Sequence, residues 1–533
     1  MAIIVCPQPL AAEIGLDVMR RGGNAVDAAV TCAFVQGVID PQMCGLGGCG
    51  VMLVHSPHAG DALLEFYATA GSLVREDQWE KIFVREAADR YGYVLDGWVN
   101  DVGYQSVCVP GTVAGLHEAL TRFGSITWEE AIEPAIPLAR DGFPVTGYVH
   151  GFWTTDYGPD VLPNARRIQT TPAARAIYTH DGELYPIGEL MVQADLARTL
   201  ERLVAEGPDA FYRGAIADAI VDDFAAHGGF ITREDLESYR VNVTEPIRGS
   251  YRGLQVVAAG PPAGGLTLLQ MLNFLEGFDL GAAGWPSTEA ARLLVEAMAW
   301  AVADRELHVA DPRFVDIPTG ALTDKAYAAT ARAVVAGRAQ GAPLADRADT
   351  TQVCVVDDGG NAVSLTHTLG SSSGVVTPGL GFGYNDYMNC FDPRPGRPNS
   401  LRPGKTRVTM MTPTMVFDGH RLRAVAGAPG GTKIVTGVLQ VLVNVLDHDM
   451  SAVEAVSAPR VDFQGEVVQA EARVPRSVVE GLGRLGYRVN RRTLNYDSYF
   501  SRPQLIVADR DGFLSGASDP RKDGGAAFDT ETK

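Results

Sequence analysis

The residues best suited to chemistry in this chain are two threonines, Thr350 and Thr368, in the stretch that begins Asp349-Thr350-Thr351 and continues QVCVVDDGGNAVSLTHT. Val353, Val355, Val356, Val363 and Leu365 favour strands, and Asp358-Gly359-Gly360 supplies a turn, so the segment reads as a β-hairpin. If Asp357 pairs with Asn361 across that turn, Thr350 falls opposite Thr368. Opposed residues in an antiparallel pair have Cβ atoms roughly 4.5 to 5.5 Å apart, close enough for the two hydroxyls to hydrogen-bond. Taken alone, such a pair is an ordinary sheet stabiliser. A threonine hydroxyl becomes a useful nucleophile only when a base takes its proton, and a cut between Asp349 and Thr350 would put a free α-amino group on the same residue. With a reference pKa of roughly 7.7 to 8.0, that amine can shuttle the proton near neutral pH.

A tetrahedral intermediate on such a nucleophile needs hydrogen-bond donors. Ala428-Pro429-Gly430-Gly431 offers backbone N–H groups that glycine lets a substrate approach closely, although the same residues also fit a tight turn into a helix from Thr432. Thr432 stands where a phosphate loop requires glycine, so a nucleotide site is rejected there. Gly45-Leu46-Gly47-Gly48-Cys49-Gly50 matches the dinucleotide fingerprint, but a predicted helix over 24–37 precedes it and a predicted strand follows, the reverse of the required order. These glycines are read as packing elements. His367 and His420 have no partners at metal-ligand spacing, and no metal or cofactor is expected.

The elements that must position these residues fall into two textures. Helical spacing recurs over 9–21, 24–37, 127–140, 193–205, 209–227, 263–276 and 286–308, with strands at 51–55, 63–67 and 254–258. From Thr350 onward strands dominate, at 351–357, 361–369, 413–418, 421–426 and 503–508, after a polar stretch over 340–349. At 533 residues and 46% hydrophobic the chain can bury a large core, and without a spacer, charge block or repeat it reads as one intertwined globule. A net charge of −19 with no basic cluster argues against nucleic acid or an anionic membrane as partner. No apolar run is long enough to span a bilayer. The start carries no signal-peptide pattern, and the seven scattered cysteines form no CxxC pair, so a cytoplasmic location with free thiols is expected.

Several blocks, in order and spacing, resemble the γ-glutamyltransferase family, the threonine members of the N-terminal-nucleophile hydrolases. They are Gly22-Gly23-Asn24-Ala25-Val26-Asp27, Gly45-Leu46-Gly47-Gly48, Val109-Pro110-Gly111-Thr112, Asp349-Thr350-Thr351, Gly360-Asn361-Ala362-Val363, Met411-Thr412-Pro413-Thr414, Ala428-Pro429-Gly430-Gly431 and Gly516-Ala517-Ser518-Asp519-Pro520-Arg521. Together they span nearly the whole chain. The resemblance implies an α+β fold, a four-layer αββα sandwich. It also implies self-cleavage between Asp349 and Thr350 into a large region, 1–349, and a small region, 350–533, that stay together as a heterodimer. Thr350 then acts as nucleophile beside Thr368, with Gly430 and Gly431 as the oxyanion hole.

The recognition residues depart from the family. The position of its carboxylate-binding arginine best matches Tyr67, its amine-gripping carboxylate lies near Cys390, its asparagine is Gly370, its serine pair is Thr409-Met410, and the histidine after the paired threonines is Gln352. A site for an amino-acid head would thereby lose charge-assisted hydrogen bonds worth about 1.5 to 3 kcal/mol each. The expected pocket, lined by Tyr67, Tyr387, Cys390 and Met410, takes a less zwitterionic small-molecule substrate, unless Arg402 or Arg407 compensates. Oxamate-type amidohydrolases and cephalosporin acylases belong to the same broader group. A glutathione hydrolase with a rebuilt pocket and an unprocessed, silent binding protein are the other readings.

Overall fold

The strand Thr351–Val356 sends Val353 and Val355 into one hydrophobic core and Cys354 and Val356 into another, as the two-residue repeat of a strand buried on both faces requires. The strand Cys49–Ser56, two places away in the same sheet, does the same: Met52 and Val54 lie on the first face, and Val51 and Leu53 on the second. In this computed structural model, which describes residues 1–87, 92–156, 158, 162–334 and 350–529, that strand is one of seven in an antiparallel sheet. The order across the sheet is Asn242–Thr244, Gly60–Phe66, Cys49–Ser56, Ala362–Thr368, Thr351–Val356, Ile3–Cys6 and Gly525–Phe528.

A second antiparallel sheet runs Ile247–Tyr251, Leu254–Ala258, Thr414–Asp418, Arg421–Gly427, Gln504–Ala508 and Leu514–Ser518. Val257, Met415, Val425 and Ile506 meet the first sheet in a shared core, whereas Val256, Val416, Ala424 and Leu505 face helices on the far side. The helices Pro9–Arg20, Ala25–Ile39 and Thr112–Phe123 cover the first sheet, and Gly265–Leu275, Thr288–His308 and Ile434–Leu446 cover the second. The result is the four-layer αββα sandwich. Both sheets draw strands from either side of residue 350, so the two regions are interwoven at their cores.

The expected elements are present with local differences. The helix expected over 127–140 is two, Trp128–Ile132 and Ala135–Asp141, divided at Pro134, which has no N–H to continue the ladder. That expected over 209–227 breaks into Asp209–Tyr212 and Ala215–Ala226 at Gly214, whose backbone is extended. The strand Ile3–Cys6 shows no alternation because all four residues are buried. All seven cysteines are buried thiols. Among the described residues no helix is long and apolar enough to cross a membrane. Asp349, the residue expected on the upstream side of the cut, lies outside the described residues.

Candidate active site

The hairpin register places Val356 opposite Ala362 and Thr351 opposite His367, so the next step along the ladder faces Thr350 with Thr368. The Thr350 hydroxyl donates to the Thr368 Oγ1 at 3.0 Å, and both residues are buried. Thr368 Oγ1 also accepts the backbone N–H of Gly370 at 2.7 Å, which fixes its lone pairs and leaves its own proton for another partner. Thr350 has φ 125°, a region that sterics deny to a β-branched residue. Holding it there costs about 1 to 3 kcal/mol, and the dihedral exists only while residue 349 is attached.

Gly370 was expected among the substrate contacts. Its backbone has φ +70°, and a Cβ there would lie 2.0 Å from Asp386 Oδ1, so Asp386 fills the space a side chain would need. Asp386 in turn accepts the N–H of Ser371 at 3.0 Å and sits 3.6 Å from the Arg167 guanidinium. Gly370 is thus held between Asp386 and the Thr368 hydroxyl to which its N–H donates. Arg167, Asp386 and Asn385, which carry no motif of their own, were invisible to sequence reasoning. Asn385 joins the glycine loop, the loop at Cys108 and Tyr387 by hydrogen bonds of 2.9 to 3.1 Å.

Gly45-Leu46-Gly47-Gly48 leaves the helix Ala25–Ile39 and enters the strand Cys49–Ser56, opposite to the order a dinucleotide loop needs. A Cβ on Gly48 would lie 2.5 Å from the Thr368 carbonyl oxygen, and one on Gly47 would lie 2.3 Å from that of Gly383. Gly48→Ala is therefore expected to push the Thr368 backbone, lowering stability by about 1 to 3 kcal/mol. Thermal denaturation of the variant checks this, and an unchanged melting temperature would contradict the packing role.

Gly427 ends its strand against Gln352, two residues from Thr350, so the loop Ala428-Pro429-Gly430-Gly431 leaves the second sheet at the Thr350 end. Gly430 and Gly431 have φ 142° and 57°, and a Cβ on Gly430 would meet that of Ser501 at 2.6 Å. Only glycine serves at such a bend, and the following helix, Ile434–Leu446, begins three residues later. Gln352 itself is buried between the sheets, accepting from Thr366 at 2.5 Å and donating to Ser364 at 2.9 Å. Both partners lie on its own sheet, Gly427 of the second sheet packs against it, and it is not a wall of the cavity described next.

Beside this loop a cavity of about 380 Å³ is bordered by Cys390, Met410 and Thr432 together with Arg305, Glu306 and Arg407. An Arg305 N–H donates to the Met410 sulfur at 3.1 Å. The guanidinium of Arg407 lies 3.8 Å from the centre of the Tyr387 ring, and the Tyr387 hydroxyl donates to Thr409 at 3.4 Å. Tyr387 and Thr409 therefore stand one layer behind the wall. Arg402 pairs at the surface with Glu76 at 3.6 Å and takes no part in the lining. Tyr67 follows the strand Gly60–Phe66 and falls, one step past the Gly50–Phe66 pair, across from Cys49, which is paired with Thr368. It shares the face of the sheet that carries Thr350 and Thr368 but borders a separate cavity of about 270 Å³ with Glu65 and Asp311. Burial pushes the Tyr67 phenol well up and the Glu65 carboxyl to about 7.

Comparisons with known proteins show what the whole chain is similar to. The family model described as gamma-glutamyltranspeptidase matches residues 11–529. The "Acylase ACY 1 proenzyme" of Pseudomonas sp. (strain V22) is 39% identical over 98% of this chain and 92% of its own. The "Glutathione hydrolase proenzyme" of Escherichia coli (strain K12) is 35% identical over 96% and 89%. Among solved structures, the cephalosporin acylase from Bacillus halodurans superposes with a TM-score of 0.89 at 28% identity, covering 99% of this chain and 96% of that one.

Proposed function

The chain belongs to the gamma-glutamyltranspeptidase family, and on that premise we propose that it is an autoprocessing amidohydrolase or acyltransferase whose nucleophile is Thr350. The observation that carries the reading is the buried Thr350–Thr368 hydroxyl pair on a strained Thr350 backbone. In maturation the Thr350 Oγ adds to the Asp349 carbonyl, the C–N bond breaks to leave an ester, and water hydrolyses that ester. The α-amino group is then free on Thr350, and the strained dihedral no longer exists. In turnover the same Oγ attacks an amide carbonyl with the α-amine as base, and the leaving amine departs with a proton. Gly430 and Gly431 N–H groups are the donors for the oxyanion. Water or an acceptor amine resolves the acyl-enzyme, and regions 1–349 and 350–533 remain together as a heterodimer through the interwoven sheets.

For the substrate we infer a small amide other than a standard γ-glutamyl donor. Cys390 supplies no charge to grip an α-ammonium, whereas Arg305 and Arg407 border the same cavity. That combination suits an acyl chain ending in a carboxylate and lacking the amine. Glu306 in the same wall favours the second reading, a glutathione-type γ-glutamyl substrate held from a new direction. Glutaryl and γ-glutamyl p-nitroanilides differ only by that amine and separate the two. A charge-assisted hydrogen bond is worth about 1.5 to 3 kcal/mol, so kcat/KM is expected to favour the glutaryl compound by about tenfold or more. Efficient release from the γ-glutamyl compound with little from the glutaryl one would overturn the first reading.

A further inference from the structure

On the helix-covered face of the first sheet, behind the threonine pair, lies a buried polar chain that the reaction above does not use. Asp40 caps the helix Ala25–Ile39, and its Oδ2 accepts the Lys522 ammonium at 2.5 Å, both side chains being about 1% exposed. The same oxygen accepts from the Gln8 amide, and Oδ1 accepts from Gln42. Gln8 Oε1 accepts from Gln36 at 2.6 Å and from the Thr351 hydroxyl at 3.3 Å. Gln36 Oε1 in turn accepts from His367 Nε2 at 2.8 Å. Thr351 and His367 are directly opposed, and they adjoin Thr350 and Thr368 on the two strands. The chain therefore runs from an ion pair to the step of the hairpin beside the hydroxyl pair.

We propose that Asp40 and Lys522 are positioning residues for Thr350, acting through Gln8 and Gln36 on the Thr351–His367 pair. A buried ion pair adds little net stability over an apolar pair of the same volume, so stability alone gives no reason for one here. What the pair does supply is direction. A carboxylate held on one side by Lys522 presents an acceptor to Gln8, which orders both glutamine amides so that one faces Thr351 and the other His367. Each strand then has a side chain anchored from behind, immediately next to the residue whose hydroxyl must stay aligned. Asp40 and Lys522 also lie on opposite sides of residue 350, so the clamp joins the two fragments after a cut.

This inference rests on Thr350 being the nucleophile, and self-cleavage is a readout that needs no knowledge of the substrate. Freshly expressed precursor is followed on denaturing gels for wild type, Thr350→Ala, Asp40→Asn/Lys522→Met, Lys522→Arg and Thr351→Val, with folding monitored by near-UV circular dichroism. A misaligned reacting group loses up to about a hundredfold in rate, so the double variant and Thr351→Val are expected to cleave about tenfold more slowly or worse. On glutaryl p-nitroanilide the loss falls on kcat with KM little changed, and Lys522→Arg recovers most of the rate. Wild-type cleavage by Thr351→Val overturns the inference whether or not the double variant folds. So does wild-type cleavage by a folded double variant. Cleavage by Thr350→Ala overturns the nucleophile reading itself, and the inference with it.

Discussion

Thr350→Ala is expected to remain one uncut chain and to lose amide hydrolysis by at least about a thousandfold, the scale set by deleting a covalent nucleophile. The variant should fold. Thr350 is buried with φ 125°, and alanine, having no β-branch, bears that backbone with less strain than threonine. Its melting temperature is therefore expected to match or exceed that of an uncut wild-type precursor, which separates chemistry from folding in one measurement. Thr350→Ser keeps both the hydroxyl and the amine that cleavage exposes, and it should cut itself and turn over, more slowly. Denaturing gels and intact mass read the cut, which should fall before residue 350. A wild-type chain that stays intact, with Thr350→Ala indistinguishable from it in activity, would instead favour a silent binding protein.

How much of this was legible in the sequence depends on how local the determining physics is. The hairpin that carries Thr350 and Thr368 could be read to the residue, because turn chemistry at Asp358-Gly359-Gly360 sets a register that propagates without loss to Thr351–His367. The layers were legible as a family expectation, and the alternation of Val353 and Val355 against Cys354 and Val356 shows why the pattern works. The roles of Gly370 and Gln352 were not legible, since each depends on a partner distant in the chain. Asp386 occupies the space beside Gly370, and Ser364 and Thr366 hold Gln352 between the sheets. These contacts across the chain are what the sequence alone does not show. The arginine question was open for the same reason: Arg402 and Arg407 are five residues apart, yet only Arg407 borders the cavity with Cys390 and Met410. The Asp40–Lys522 pair joins residues separated by 482 positions and has no signature in either segment.

Thr368→Val is the sharpest test of whether the hydroxyl pair is chemistry or ordinary sheet packing. Valine keeps the shape and strand preference of threonine but removes the oxygen that accepts from Thr350 at 3.0 Å and from the Gly370 N–H at 2.7 Å. Both donors are then stranded in a buried site, at a cost of about 1 to 3 kcal/mol each where no water reaches them. The loss at Gly370 loosens a turn with φ +70°, while the loss at Thr350 frees its hydroxyl to leave the attack geometry. Stability is expected to fall by about 2 to 6 kcal/mol, and self-cleavage to slow by about a hundredfold. Thr368→Ser restores the oxygen without the methyl group and should recover most of the cleavage rate while staying slightly less stable. Precursor half-times and urea denaturation of the two variants settle the matter together. If valine lowers stability yet leaves the cleavage rate at the wild-type value, Thr368 is a strand residue only. The alignment of Thr350 would then have to come from the helix-side clamp at Thr351.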